Sequence, residues 1–171
     1  MAAEPAPLPP RLALAVQYAV AAEQLPVRAT LRRWIRAALT RDAAVTVRFV
    51  GTAEGRRLNA DFRAGDHATN VLTFVYDDSM PLSGDIVLCV PVLRREAREQ
   101  GKTFTDHCAH LVVHGTLHLQ GHDHGTARTA AAMERLETRL LAQLDKRDPY
   151  AERAPRPAGA RLPGRASRRS R

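Results

Sequence analysis

The stretch CAHLVVHGTLHLQGHDHG, Cys108 to Gly125, holds five of the chain's seven histidines. His110, His114 and His118 are each four apart, which on a helix stacks them along one face about 6 Å per step. Two histidines at that interval are the usual way a helix grips zinc, because a ring nitrogen of each can reach one point about 2.0–2.1 Å from the metal. Gly121 then lets the chain turn at little steric cost, so that His124 can fold back as a third ligand. The spacing therefore predicts one ion held by His114, His118 and His124. Three protein ligands leave a tetrahedral ion one open position for water or substrate, the mark of a catalytic rather than a structural site. His110 and His122 stand close enough to replace one of these ligands. His110 also suits a place beside the ligands, facing them or the substrate. Asp123 suits either a local cap or the orientation of a histidine.

The same intervals occur in the metzincin proteases, whose pattern is HExxHxxGxxH. There the glutamate after the first histidine is the general base of peptide hydrolysis. Here that place holds Gly115, which can move no proton. A metalloprotease is thus one alternative function. A non-catalytic assembly factor with a structural zinc is another.

These histidines need elements to position them. RLALAVQYAV, from Arg11, alternates at a strand period. From Val27 the spacing turns helical, with Leu31, Trp34, Ile35, Ala38 and Leu39 inward and Arg32, Arg33 and Arg36 available outside. AVTVRFVG gives a second strand ending at Gly51. TAEGRRLNADFRAG reads as a short helix stopping near Gly65. NVLTFVY (70–76) and DIVLCVP (85–91) both read as inner strands, the two arms of an antiparallel pair. VLRREAREQG is a brief charged helix, helical spacing resumes over Cys108–Leu119, and a last helix spans about Ala130–Leu144 with Met133, Leu136, Leu140 and Leu144 on one stripe. The order β-α-β-α-β-β-α-α-α makes a single α/β layer domain, a small mixed sheet covered by helices.

Composition bounds the rest. Apolar residues are 44% of the 171, enough for a core. Of the net charge of +8, residues 151–171 carry +6, from seven arginines and one glutamate. The basic balance thus belongs to a terminal tail, suited to a polyanion or to solvation. Residues 1–10, with four prolines, read as a poorly ordered lead-in, which leaves 11–150 as the folded domain. Cys89 and Cys108 sit in apolar surroundings as free thiols, and no CxxC cage is present. No segment approaches a membrane span and no leader is visible, so a soluble, cytoplasmic protein is expected.

Several separated blocks closely resemble one family. HLVVHGTLHLQGHDH, NADFRAGDHATNVLTF, GDIVLCVPVLRREAREQGK, MERLE and DPY, in that order over roughly residues 12–150, resemble the YbeY family of bacterial rRNA maturation endoribonucleases. The resemblance implies a zinc-dependent, single-strand-specific endoribonuclease acting on the 3′ end of small-subunit (16S) ribosomal RNA and in ribosome quality control. It implies RNA, the small subunit and ribosome-associated proteins as partners. His114, His118 and His124 fall on the family's three ligands to one Zn2+, and Arg63 on its characteristic arginine near the active site, where a guanidinium fork suits a phosphate. His110 is the candidate for proton transfer or substrate contact. The implied fold is a compact α/β domain with a mostly parallel sheet. It admits the 70–76 and 85–91 pair only if one of the two is an antiparallel edge.

Overall fold

The computed structural model describes residues 3–21, 23–63, 69–77 and 79–151, with the backbone alone at Arg63. The arginine-rich 152–171 and the expected helix stop near Gly65 lie outside the described residues. Residues 3–11 run without regular structure into β1. The described elements are β1 (Leu12–Tyr18), α1 (Arg28–Ala38), β2 (Ala43–Val50), α2 (Thr52–Arg63), β3 (Val71–Asp77), β4 (Leu82–Cys89), α3 (Val90–Glu99), α4 (Phe104–Leu119) and α5 (Ala127–Gln143). They follow the order expected from the periodicity.

The strands form one sheet in the order β1-β2-β4-β3. β1, β2 and β4 run parallel, and β3 pairs antiparallel with β4 at the edge. Both sequence-based expectations therefore meet in β3, as arm of an antiparallel pair and as edge of a mostly parallel sheet. One detail differs: 70–76 reads as an inner strand, yet Val75 and Tyr76 are exposed. An apolar run does not say how many neighbours a strand has.

β4 is covered on both faces, which is why it reads as nearly continuous hydrophobicity. Leu82, Ile86 and Leu88 belong to the main core with α1, α4 and α5, while Val87 and Cys89 join Val50, Leu72 and Val92 in a smaller core on the other side. Gly84 is where the main layer comes closest. A Cβ there would stand 2.5 Å from the Phe74 carbonyl oxygen and 2.7 Å from Leu119 Cδ2. The strand passes directly into α3 at Val90, with Pro91 in the helix's first turn, a position that needs no N–H.

α4 is the central helix. From His107 to Leu119 every residue is buried except His110, His114 and His118. Beyond its first turn, the chain thus covers this helix except along the stripe that carries the imidazoles. α1 packs against it with Leu31, Trp34 and Ile35 fully buried, each contributing about 1.5–3 kcal/mol by leaving water. Both cysteines are buried and free. No helix among the described residues is long and apolar enough to cross a membrane.

Candidate metal centre

α4 begins four residues before the expected Cys108. Thr103 caps it, its Oγ1 accepting from the Asp106 N–H at 3.1 Å, and Asp106 adds negative charge to the first turn. The helix ends in a paired backbone lock. Gly121, at φ +93°, donates to the His118 carbonyl at 3.0 Å, and His122 N–H donates to the Leu117 carbonyl at 3.1 Å. This is the Schellman arrangement, which needs a left-handed residue and so favours glycine. Asp123 Oδ1 then accepts from Gly125 N–H at 3.0 Å, the local-cap role. Thr126 and Thr129 cap each other to start α5. The loop carrying His124 is therefore fixed at both ends.

The result is convergence. The His114 and His118 ring centroids lie 4.6 Å apart, His118 and His124 4.6 Å, and His114 and His124 5.6 Å. One ring nitrogen from each lies within 4.8 Å of the other two. A tetrahedral ion bonded at 2.0–2.1 Å sets its ligand atoms about 3.4 Å apart, so small ring rotations complete the set. The burial grades from half-buried His114 and His118 to exposed His124, so the cluster has a closed side and an open side. Imidazole donors alone, open on one side, fit a divalent borderline ion such as zinc. His122 is exposed and does not join the cluster.

His110 stands one turn before His114, in a second grouping with His114 and Glu137. Its Nε2 meets Glu137 Oε2 at 3.0 Å and the Tyr150 hydroxyl at 3.1 Å. Burial holds its pKa below the usual imidazole value, against the opposing pull of Glu137. Glu137 Oε1 contacts His114 Nδ1, and the Tyr150 hydroxyl donates to Glu137 Oε2. Glu137 has no exposed surface. Burial alone would raise its pKa, but the hydrogen bonds from His110, His114 and Tyr150 overcome this and hold it down at about 2. The sequence reading missed Glu137. Its signal was an acid in the middle of an apolar stripe, since the buried residues of α5 are Met133, Glu137 and Leu141, each four apart.

A cleft of about 480 Å³ adjoins the cluster, lined by His110, His114 and His124 together with Asn70, Glu96 and Tyr150. At its floor Glu96 Oε2 meets His107 Nε2 at 2.7 Å, and the Asn70 amide donates to Glu96 Oε2 at 3.2 Å. Arg63 is the last residue of α2; its side chain lies outside the described residues. Of the arginines expected on the outer side of α1, Arg32 turns inward to donate to the Leu12 carbonyl at 3.0 Å, while Arg33 and Arg36 are exposed. Gly115 explains why no protease base stands beside His114. A Cβ there would lie 3.1 Å from Ile86 and 3.2 Å from Thr73, so this position faces the sheet and not the imidazoles.

A family model described as Endoribonuclease YbeY matches residues 17–145. The chain belongs to the YbeY family. It is 61% identical over 144 residues to the Endoribonuclease YbeY of Aromatoleum aromaticum, covering 82% of this chain and 94% of the relative. It is 57% identical over 153 residues to that of Bordetella avium, covering 82% and 94%. Its fold is shared with the solution structure of TM1509 from Thermotoga maritima, with a TM-score of 0.53 at 22% identity over 86% of this chain and 99% of that one. The YbeY resemblance drawn from the blocks between residues 12 and 150 is thus borne out, and the chain is an enzyme of an endoribonuclease family.

Proposed function

We propose that this chain is a zinc-dependent endoribonuclease that cuts single-stranded RNA, matures the 3′ end of small-subunit ribosomal RNA in the cytoplasm, and serves ribosome quality control. The carrying observation is the convergence of His114, His118 and His124 beside a cleft that His114 and His124 line, in a chain of this family. These three residues would hold one Zn2+, which when bound supplies Lewis-acid stabilisation of phosphate charge and activation of a nucleophile.

The chain's own groups do the rest. The rings of His114 and His118, fixed on the enclosed helix, set where a phosphate must sit. Arg63, closing α2, is assigned to grip that phosphate, since its planar fork matches two phosphate oxygens. Burial lowers the His110 pKa, which favours the neutral ring. Its Nδ1 is buried, so Nε2, shared with Glu137 and Tyr150, is the nitrogen through which it would pass a proton or meet substrate. A small-subunit particle and its bound proteins would supply selectivity, because the exposed arginines recognise backbone charge and not sequence.

The test measures zinc content and cleavage of a single-stranded RNA for the wild type and for the His114→Ala/His118→Ala double variant. The expected result is about one zinc per wild-type chain, with the folded variant losing both metal and cleavage. Undiminished cleavage by a zinc-free, folded double variant overturns the proposal. A variant that folds only with metal present points to a structural ion instead. The products add the nucleophile: a 2′,3′-cyclic phosphate marks attack by the RNA's own 2′-hydroxyl.

A further inference from the structure

Tyr150 reaches Glu137 and His110, beside the metal cluster, from a segment beyond the last helix. Asp148 Oδ1 accepts from Tyr150 N–H at 2.8 Å and from the Thr138 hydroxyl at 3.2 Å. Lys102 Nζ donates to the Pro149 carbonyl at 3.1 Å. The tripeptide Asp148-Pro149-Tyr150 is thus clipped to α5 on one side and to the α3–α4 connection on the other. Its tyrosine ring stands edge-on to His110, centroids 5.4 Å apart at 85°, and its hydroxyl donates to Glu137 Oε2.

Glu137 is a carboxylate with every neighbour a donor. An ionised carboxylate only accepts hydrogen bonds, so the imidazole nitrogens facing it must both carry hydrogen. For His114 that nitrogen is Nδ1, which in the neutral, metal-binding ring leaves Nε2 with a bare lone pair. For His110 it is Nε2, which leaves Nδ1 bare, and that atom is buried without a partner. A free histidine divides its proton between the two nitrogens. Here the buried acid fixes the choice and orients the ring as well.

We infer that Glu137, held in turn by Tyr150, is the positioning residue that commits His114 to bind metal through Nε2. The inference rests on the metal reading given above. It gives the C-terminal DPY segment a role in assembling the centre: Tyr150 holds Oε2, so that Oε1 stays aimed at His114. A ligand imidazole bonded through its other nitrogen to a carboxylate is oriented and made more basic, and loss of such a partner costs metal affinity.

The test has two readouts. In metal-free protein, long-range proton–nitrogen NMR of the histidines should show His114 as the Nδ1–H tautomer and His110 as the Nε2–H tautomer. In Glu137→Ala, His114 should revert to a mixture. Chelator competition should then show zinc bound about 10- to 100-fold more weakly by Glu137→Ala. Glu137→Gln should recover part of the loss, because its amide oxygen still accepts from His114. Tyr150→Phe should lose affinity less than Glu137→Ala while keeping the His114 tautomer. Should Glu137→Ala not fold, Glu137→Gln and Tyr150→Phe carry the same comparison. An Nε2–H tautomer for His114 in the metal-free wild type overturns the inference, as do Glu137→Gln and Tyr150→Phe variants that bind zinc as tightly as wild type. A wild type that shows the stated tautomers but binds no zinc instead overturns the metal reading on which the inference rests.

Discussion

Glu96 and His107 meet across α3 and α4 with 2.7 Å between Oε2 and Nε2, and the physics of this pair is that of Glu137 at lower burial. Burial pushes the Glu96 carboxyl up, but hydrogen bonds from His107 and Asn70 outweigh it and hold the pKa below the ordinary 4.5. A carboxyl with a depressed folded-state pKa adds stability that is complete above its unfolded value and fades as pH falls through the folded one. Acid should therefore weaken the wild type more steeply than Glu96→Gln once pH drops below about 4.5, as read by urea midpoints along a pH series. Parallel curves for the two proteins would refute it. These pairs escape a sequence reading because Glu96 and Glu137 look like ordinary helical acids until their donors, 11 to 27 residues away along the chain, are placed beside them.

At the scale of elements, periodicity located every helix and strand but not their ends. α4 starts at Phe104, and its signal was present in the sequence as Thr103 followed three residues later by Asp106, a capping pair outside the apolar stripe. Apolar spacing puts Met133, Leu136, Leu140 and Leu144 on one stripe of α5, whereas its most buried line is Met133, Glu137 and Leu141. A charged residue on that line shifts the apparent face. His114 and His118 share a helix face because four residues is close to one helical turn whatever the surroundings, and the turn at Gly121 returns His124 to them. The contact of Gly115 with Ile86 and Thr73 is a relation between elements. Gly115→Glu is expected to cost roughly 1–3 kcal/mol or more through overpacking and a buried carboxylate, visible as a lower denaturation midpoint. It should confer no peptide cleavage with zinc present. A stable, peptide-cleaving Gly115→Glu protein would contradict that placement.

Across the whole molecule, the enclosure of α4 decides what is reactive. Cys108 is fully buried, and desolvation pushes its thiol up to about 12; Cys89 is nearly as enclosed and its thiol is also raised. Thiolate is the reactive form, so native protein at neutral pH should resist alkylation by iodoacetamide at both positions. Both should label after denaturation, as counted by mass spectrometry. Rapid labelling of Cys108 in the native chain would show that α4 opens. The same enclosure leaves His110, His114 and His118 as the only residues between 107 and 119 that are not buried.

The sequence by itself determined the element order, the free thiols and the three histidines that converge, since these depend on local period, apolar surroundings and one left-handed glycine. Only the tertiary structure decided that β3 is an exposed edge, that Gly115 faces the sheet, and that Glu137 and Tyr150 stand behind His114. Those are contacts between segments distant in the chain, and a hydrogen bond across such a distance leaves no period in the sequence to read.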